Sequence, residues 1–427
     1  MQDEYKHSGQ TFRETEFSEN TKKVVIRKGN TSNMILNYFK SRQDFEIIQF
    51  NTPYSDQYDF KWTDFSYQQN YLNFQENKQI INHIPNIRNL LSYKDSYVIT
   101  LKLFDIQSQN IYKIKSKDFH FETYIFNLTN PQINQNEKFF FDNINSGYWL
   151  AKDPNGSLGI KLFKNVTEIK ENIKYIKQNL VQLLIQAKTR EQKQNLAMFQ
   201  VIQRYLENPL LIDGKKNDIR SYILIPSINP FVVLYQNGFV RKCISNYTKE
   251  FTSFEGDEAY KHLTNRIFQK KHKQYETESN QLMITIEQFE QYLQQKMNIS
   301  PLEISKMWNK CKKAALYSIL SAKDKLGKKK GYFQLLGIDL IFDDKLNAFL
   351  IEFNTSAGLF MELQTHFKVI PQLVQSTLDI ILESHDKNVD LWDYWRLPKF
   401  RQLGNWEVIY NEANEYNFLY ESEKKDI

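Results

Sequence analysis

Apolar and polar positions alternate along this chain in two rhythms, period two and period three to four, and the switches between them predict a mixed α/β (α+β) fold. Near the start KVVIRKGN reads as a strand, Thr31 and Ser32 as caps, MILNYF as an amphipathic helix and FEIIQF as a second strand. Residues 82–91 (NHIPNIRNLL) with the following SYKDSYVITLKLF predict another helix and a linker strand. From Tyr148, WLAK, the turn DPNGSLG and IKLF read as a hairpin with a glycine-bearing tip. Within residues 167–200, Ile169, Ile173, Ile176, Leu180, Leu183 and Leu184 recur at helical spacing, with Thr167 as the cap. VIQRYL, DIRSYILI and FVVLY read as strands around a turn at Asp213 and Gly214, and residues 286–297 and 302–326 as long helices. The strongest local signal is a hairpin: residues 332–342, the turn DDKLN, and residues 348–353, followed by an amphipathic helix over 366–383. Residues before about Lys22 are polar and expected to be disordered. The stretch after about Asp386 is aromatic and acidic and is expected to pack loosely or bind a partner.

Composition narrows the class. A chain of 427 residues, 41% hydrophobic, has enough apolar matter for several packed lobes without a staple. Its two cysteines, Cys243 and Cys311, stand outside any metal-ligand spacing, which excludes a disulfide scaffold and a zinc ribbon. The polar start lacks the core of a secretory signal, and the longest apolar stretch, residues 222–235, is broken by Pro226 and Pro230, so a soluble intracellular protein without a membrane span is expected. A net charge of +6 is too small and too spread to argue for nucleic acid; the basic runs RIFQKKHK and KDKLGKKK could steer an acidic partner.

The chemistry concentrates on three strands. Centring the hairpin turn between Lys345 and Leu346 sets Asp339 opposite Glu352, with Asn354 on the same face. Two ionised carboxylates about 5 Å apart repel by about 3 kcal/mol at an effective dielectric near 20. The neighbours are apolar, so a divalent cation is expected to offset the charge; two carboxylates and an amide oxygen suit Mg. In KKNDIRSY, Lys216, Asp218 and Arg220 share one face of an otherwise apolar strand and call for charged partners such as a triphosphate, a ribose and a carboxylate. Lys152 ends a strand before a turn holding Gly156 and Gly159, whose amides with the lysine could hold phosphates. Neither DGKK nor LGKK has the spacing of a Walker loop, no HExxH occurs, and no nucleophile–base arrangement is evident, so phosphate chemistry with a metal fits better than hydrolysis.

The blocks NPLLIDGKKNDIRSYILI, HLTNRIFQKK and GYFQLLGIDLIFDDKLNAFLIEFN, in that order, resemble the signature segments of the tubulin-tyrosine-ligase-like enzymes. With GNTSNMILNYFKSR and DFKWTD they look most similar to the polyglycylase branch. The resemblance implies an ATP-grasp fold: a disordered start (1–21), an N-terminal α/β lobe (22–115), a central lobe (116–206), a C-terminal lobe with the metal hairpin (207–385) and an extension (386–427). It implies Mg and ATP as cofactors, with Lys152 at the phosphates, Gln203, Arg204, Tyr205 and Leu206 at the adenine edge, Lys216 and Asp218 holding nucleotide, and Thr264 and Asn265 lining the site. Arg220 and Arg241 would face the γ-phosphate and the acceptor carboxylate, and Asp339, Glu352 and Asn354 would hold Mg. By resemblance the partners are free glycine and tubulin or another acidic protein, and the setting is the cytoplasm and cytoskeleton, in a cilium or axoneme, for a monomeric enzyme. Glutamate as donor, or a silent microtubule-binding member, are the alternatives; the loop after Lys152 is shorter than the family pattern.

Overall fold

Two long, nearly all-apolar strands organise the molecule. In the computed structural model, which describes residues 21–421 apart from 30, 49, 51–55, 110, 130, 131, 155–159, 188–198, 251–255 and 397–401, these strands form an antiparallel pair. They are β10 (Lys215–Ile228) and β11 (Phe231–Lys242), joined by a tight reversal at Asn229 and Pro230. Both faces are covered, which is why YILI and FVVLY read as continuous apolar runs. One face, with Ile219, Ile223, Val233 and Tyr235, packs on the helix Pro301–Ala322, where Cys311, Ala315 and Ile319 are fully buried. The other, with Tyr222, Leu224, Val232 and Leu234, packs on the helix Gln364–Ser384 through Ile370, Leu373 and Val374. The first helix starts where the sequence says it should: Ser300 and Glu303 form a capping box and Pro301 occupies the first turn.

The hairpin β13 (Gln334–Phe342) and β14 (Ala348–Asn354) extends the sheet on one side of β10, giving the order β14-β13-β10-β11-β15-β16, with β9 (Leu211–Ile212) on β10 and β12 (Met283–Thr285) on β11. The other edge is a correction. Rather than packing loosely, the stretch after Asp386 supplies β15 (Glu407–Asn411) and β16 (Tyr416–Asn417); Ile409, Trp395 and Trp406 are buried, and Asn411 donates to the Trp395 carbonyl. Burial of those aromatic rings removes more apolar surface than a polar tail could expose without cost.

Two smaller sheets flank this body. A parallel one runs β2-β1-β3-β4, from β1 (Lys22–Ile26), β2 (Phe45–Ile48), β3 (Phe60–Trp62) and β4 (Ile80–Ile81), covered by the helix Ser32–Lys40. Thr31 sits at the cap position of that helix but makes no capping bond, because its hydroxyl donates to Asp64 instead. An antiparallel sheet runs β5-β8-β6-β7, from β5 (Thr123–Asn127), β6 (Trp149–Lys152), β7 (Lys161–Phe163) and β8 (Phe199–Arg204), under the helix Val166–Gln186. That helix is capped by Asn165, which accepts from the Glu168 amide at 2.9 Å, not by Thr167.

The segment over 82–107 also differs from expectation. Pro85 keeps 82–86 out of a helix, Arg88–Ser92 makes one π-turn, and Lys94–Gln107 is helical with no strand. The expected disorder over 1–21 falls outside the described residues except at Thr21; the helical reading over 188–198 and the loop at Gly156 and Gly159 fall outside them entirely.

Candidate active site

The hairpin carries the acidic side chains. Its turn pairs Phe342 with Ala348, Ile341 with Phe349 and Leu340 with Leu350; Ile351 then stands as an extra residue, and beyond that bulge Asp339 faces Glu352. Centring the turn between Lys345 and Leu346 gives the same acidic pair only because the bulge shifts the ladder by one. Asp339 is buried, and the Asn354 amide lies 3.4 Å from a carboxylate oxygen of each acid.

Protein cations, not only a metal, offset this charge. Arg220 approaches Asp339 side-on, with Nε at 2.6 Å and Nη2 at 3.3 Å. Arg241 reaches it at 3.1 Å, and Lys94 lies 3.4 Å from Glu352. Burial alone would raise the Asp339 pKa, but the two guanidiniums hold it below the usual carboxylate range. The expectation that a divalent ion is needed to make the acidic pair tolerable is therefore corrected: arginines from two adjacent strands do part of that work. The donor set still suits a hard cation, since the Asn354 side-chain amide stands within 3.4 Å of both carboxylates. The Asn354 amide would have to present its oxygen where its nitrogen now lies, a half-turn of the side chain.

Across the cleft stand two buried lysines. Lys152 Nζ donates to Gln203 Oε1 at 2.6 Å, and Lys216 Nζ donates to the Tyr205 hydroxyl at 3.0 Å. Among the described residues neither forms an ion pair with a carboxylate. Burial, reinforced by Lys94, pushes the Lys152 pKa down to about 7; burial pushes Lys216 down to about 8. Such cations lack an anion, and a phosphate group would relieve both. His262, whose Nδ1 lies 2.8 Å from the Tyr205 hydroxyl, is held neutral by burial, with its pKa lowered to about 3.

Apart from Gly156 and Gly159, which lie outside the described residues, the site residues singled out from sequence line one cavity of about 460 Å³ between the β5-β8-β6-β7 sheet and the large sheet. Lys216, Asp218 and Arg220 share a face as their parity requires, and Asp218 lies opposite Arg241 on β11. Asp218 is fully occupied, accepting from Arg241 Nε and Nη2 at 2.7 Å each and from the Thr264 hydroxyl at 2.6 Å. Gln203 bridges Lys152 and Thr123, while the Arg204 side chain turns away to the Ser146 carbonyl and stacks over Trp149. The Arg204 guanidinium is thus held by Ser146 and Trp149. Asn265 caps the short turn Arg266–Gln269 with its side chain.

Sequence reasoning missed Lys94. Its signal was a lysine in the first turn of a helix, against the helix dipole, which an acidic partner elsewhere explains. It also missed His262, His366 and Arg88, all at the cleft and none on a readable strand face, while Arg266, read from sequence only as part of a basic run, lies over Phe360 in the cleft.

The three sheets, with the cleft between two of them, define the class as a mixed α/β protein. Residues 72–389 match the tubulin-tyrosine ligase family, and the chain belongs to that family. It is 28% identical over 384 residues to the mouse protein polyglycylase TTLL10, covering 84% of this chain and 51% of the relative. It is 26% identical over 417 residues to the human inactive polyglycylase TTLL10, covering 85% and 58%. To the rat probable tubulin polyglutamylase TTLL9 it is 30% identical over 214 residues, covering 50% and 43%. The chain thus spans about half the length of these relatives. Among the described residues no helix is long and apolar enough to cross a membrane.

Proposed function

We propose that this chain is an ATP-dependent ligase of the ATP-grasp type that joins glycine to glutamate side chains, or to glycine chains, of tubulin or another acidic protein. The observation that carries the reading is that two buried lysines bonded to neutral groups, Lys152 to Gln203 and Lys216 to Tyr205, face the set Asp339, Glu352 and Asn354 across one cleft. The three sheets fall in 22–115, 116–206 and 207–385, except that β15 and β16 from the extension complete the third, and the cleft is lined by residues of all three segments.

Mg-ATP, when bound, supplies the phosphoryl group that turns an acceptor carboxylate into an acyl phosphate, which the amine of the incoming amino acid then opens. Lys152 and Lys216 bind phosphate oxygens from a dry wall, where their charge is poorly screened and therefore strong. Arg220 and Arg241 orient the acceptor carboxylate and spread the negative charge that develops on transfer. Asp339, Glu352 and Asn354 would hold the divalent ion. Positioning and electrostatics suffice, so no side chain has to act as nucleophile. The names of the polyglycylase relatives favour glycine as donor, and the basic rim from Arg266 to Lys273 suits an acidic acceptor.

The test is incubation of the purified chain with tubulin, Mg-ATP and isotopically labelled glycine or glutamate in separate reactions, read by mass spectrometry. Glycine incorporation that disappears in Asp339→Asn and Glu352→Gln supports the reading. Incorporation of glutamate alone reassigns the donor, and no incorporation of either, with no ATP binding by titration, sinks the ligase assignment.

A further inference from the structure

The chain has 13 glycines, and three of them close on one arginine. A Cβ at Gly337 would stand 2.7 Å from Arg220 Nη1, 3.4 Å from its Cδ and 3.2 Å from the Ala357 carbonyl. A Cβ at Gly358, which also needs its φ of +68°, would stand 3.4 Å from the same nitrogen. Gly238, at the bulge opposite Arg220, would put a Cβ 2.7 Å from the Arg220 carbonyl oxygen. Gly337 sits two residues before Asp339 on the same strand face, so the guanidinium lies flat over the bare backbone of β13 to reach that carboxylate.

The hydrogen-bond count shows what this leaves. A guanidinium has five N–H donors in a fixed plane. Asp339 takes Nε–H and one Nη2–H; the Ala357 carbonyl takes one Nη1–H at 3.1 Å. The space over Gly337 touches both that carbonyl and Arg220 Cδ, so the carbonyl approaches Nη1 from the Cδ side. The donors left over are one N–H on each terminal nitrogen, side by side, and Arg220 lines the cleft. Such a parallel pair fits one carboxylate or phosphoryl group through two oxygens.

We propose that Gly337, supported by Gly358 and Gly238, is a positioning residue that fixes the Arg220 plane so that its end-on N–H pair is reserved for one oxyanion of the reaction. What holds Arg220 follows from geometry alone; which reaction it serves rests on the ligase reading.

The test uses Gly337→Ala, Arg220→Lys, Arg220→Ala and the doubles of the first with each of the others, in the full chain. Gly337→Ala lowers the melting temperature by several degrees, and most of this loss disappears in the Arg220→Ala background, where only the Ala357 carbonyl, at 3.2 Å, remains for the methyl group to meet. No loss in the single variant, or an equal loss in both backgrounds, overturns the cradle. In amino-acid transfer, Gly337→Ala lowers kcat roughly a hundredfold, the scale expected for an ångström of misplacement, with little change in KM for ATP. Combined with Arg220→Lys it costs nothing further, because the fork is already gone; multiplying losses overturn the proposal. If the wild-type chain transfers no amino acid, the ligase reading fails while the melting comparison still decides the cradle.

Discussion

Replacing Arg241 by alanine removes a cation clamped between two acids. Its Nε and Nη2 lie 2.7 Å from Asp218 oxygens and its Nη2 lies 3.1 Å from Asp339, with only 15% of its side chain exposed. Breaking a buried ion pair from one side costs about 3–5 kcal/mol, since the abandoned charge stays desolvated. Here Asp339 keeps Arg220 and Asp218 keeps the Thr264 hydroxyl, so we expect the low end, about 3 kcal/mol at neutral pH. The sign with pH follows from Asp339. Burial works to raise its pKa, and Arg220 and Arg241 together lower it below the ordinary carboxylate value of 3.8. A depressed carboxylate contributes stability that is present above the unfolded value and lost as pH falls through the folded one. Without Arg241 that pKa climbs, so the gap between wild type and variant is widest near neutrality and narrows as pH falls toward about 4. Urea unfolding of both proteins at about pH 7.5 and about pH 4.5 measures it. Millimolar Mg should restore part of the loss in the variant and add little to the wild type, because the ion takes over a carboxylate that Arg241 has left. A gap under about 0.5 kcal/mol, or one that does not change with pH, would refute the account of Arg241 as a buried counter-ion.

The lysine wall gives two further outcomes. At about pH 8 the free protein holds Lys152 and Lys216 partly neutral, so binding a triphosphate should take up roughly one proton, seen by calorimetry in buffers of different ionisation enthalpy; no buffer dependence contradicts it. Lys152→Met should stabilise the ligand-free protein. The wild-type lysine, with its pKa lowered from 10.5 to about 7, is most costly at and below neutral pH and least so near pH 10, so the difference in melting temperature should shrink as pH rises. The same variant should lose nucleotide affinity, read by titration with Mg-ATP. Ending the chain before Glu407 strips β15 from the sheet and exposes the edge of β11; a large fall in melting temperature, with aggregation, is expected in a thermal scan.

Strand parity carried much of the site into the sequence. Lys216, Asp218 and Arg220 alternate in KKNDIRSY, and a strand can only place them together. Glu352 and Asn354 obey the same rule on β14. What parity cannot give is the neighbour across the sheet. Arg241 meets Asp218 and Asp339 because β10 separates β11 from β13, a strand order that no local pattern announces. Lys94 was hidden for a different reason: SYKDSYVITLKLF reads as a linker strand, whereas residues 94–107 form a helix whose first turn presents the lysine. The short EVIYN pattern near the end gave no hint of its partner, since Tyr235 and Glu407 pair across most of the C-terminal half of the chain.

That last pairing has a consequence during synthesis. When the ribosome has finished β11 at Lys242, the strand has to wait until residues 407–411 emerge before its outer edge is taken up by β15. At roughly 5–20 residues per second the delay is on the order of ten to thirty seconds, during which Val232 to Tyr235 offer backbone groups to any passing strand. A nascent chain in that interval is the form in which a chaperone would find this protein, and slowing translation over 243–406 should lower the yield of folded product more than slowing it earlier.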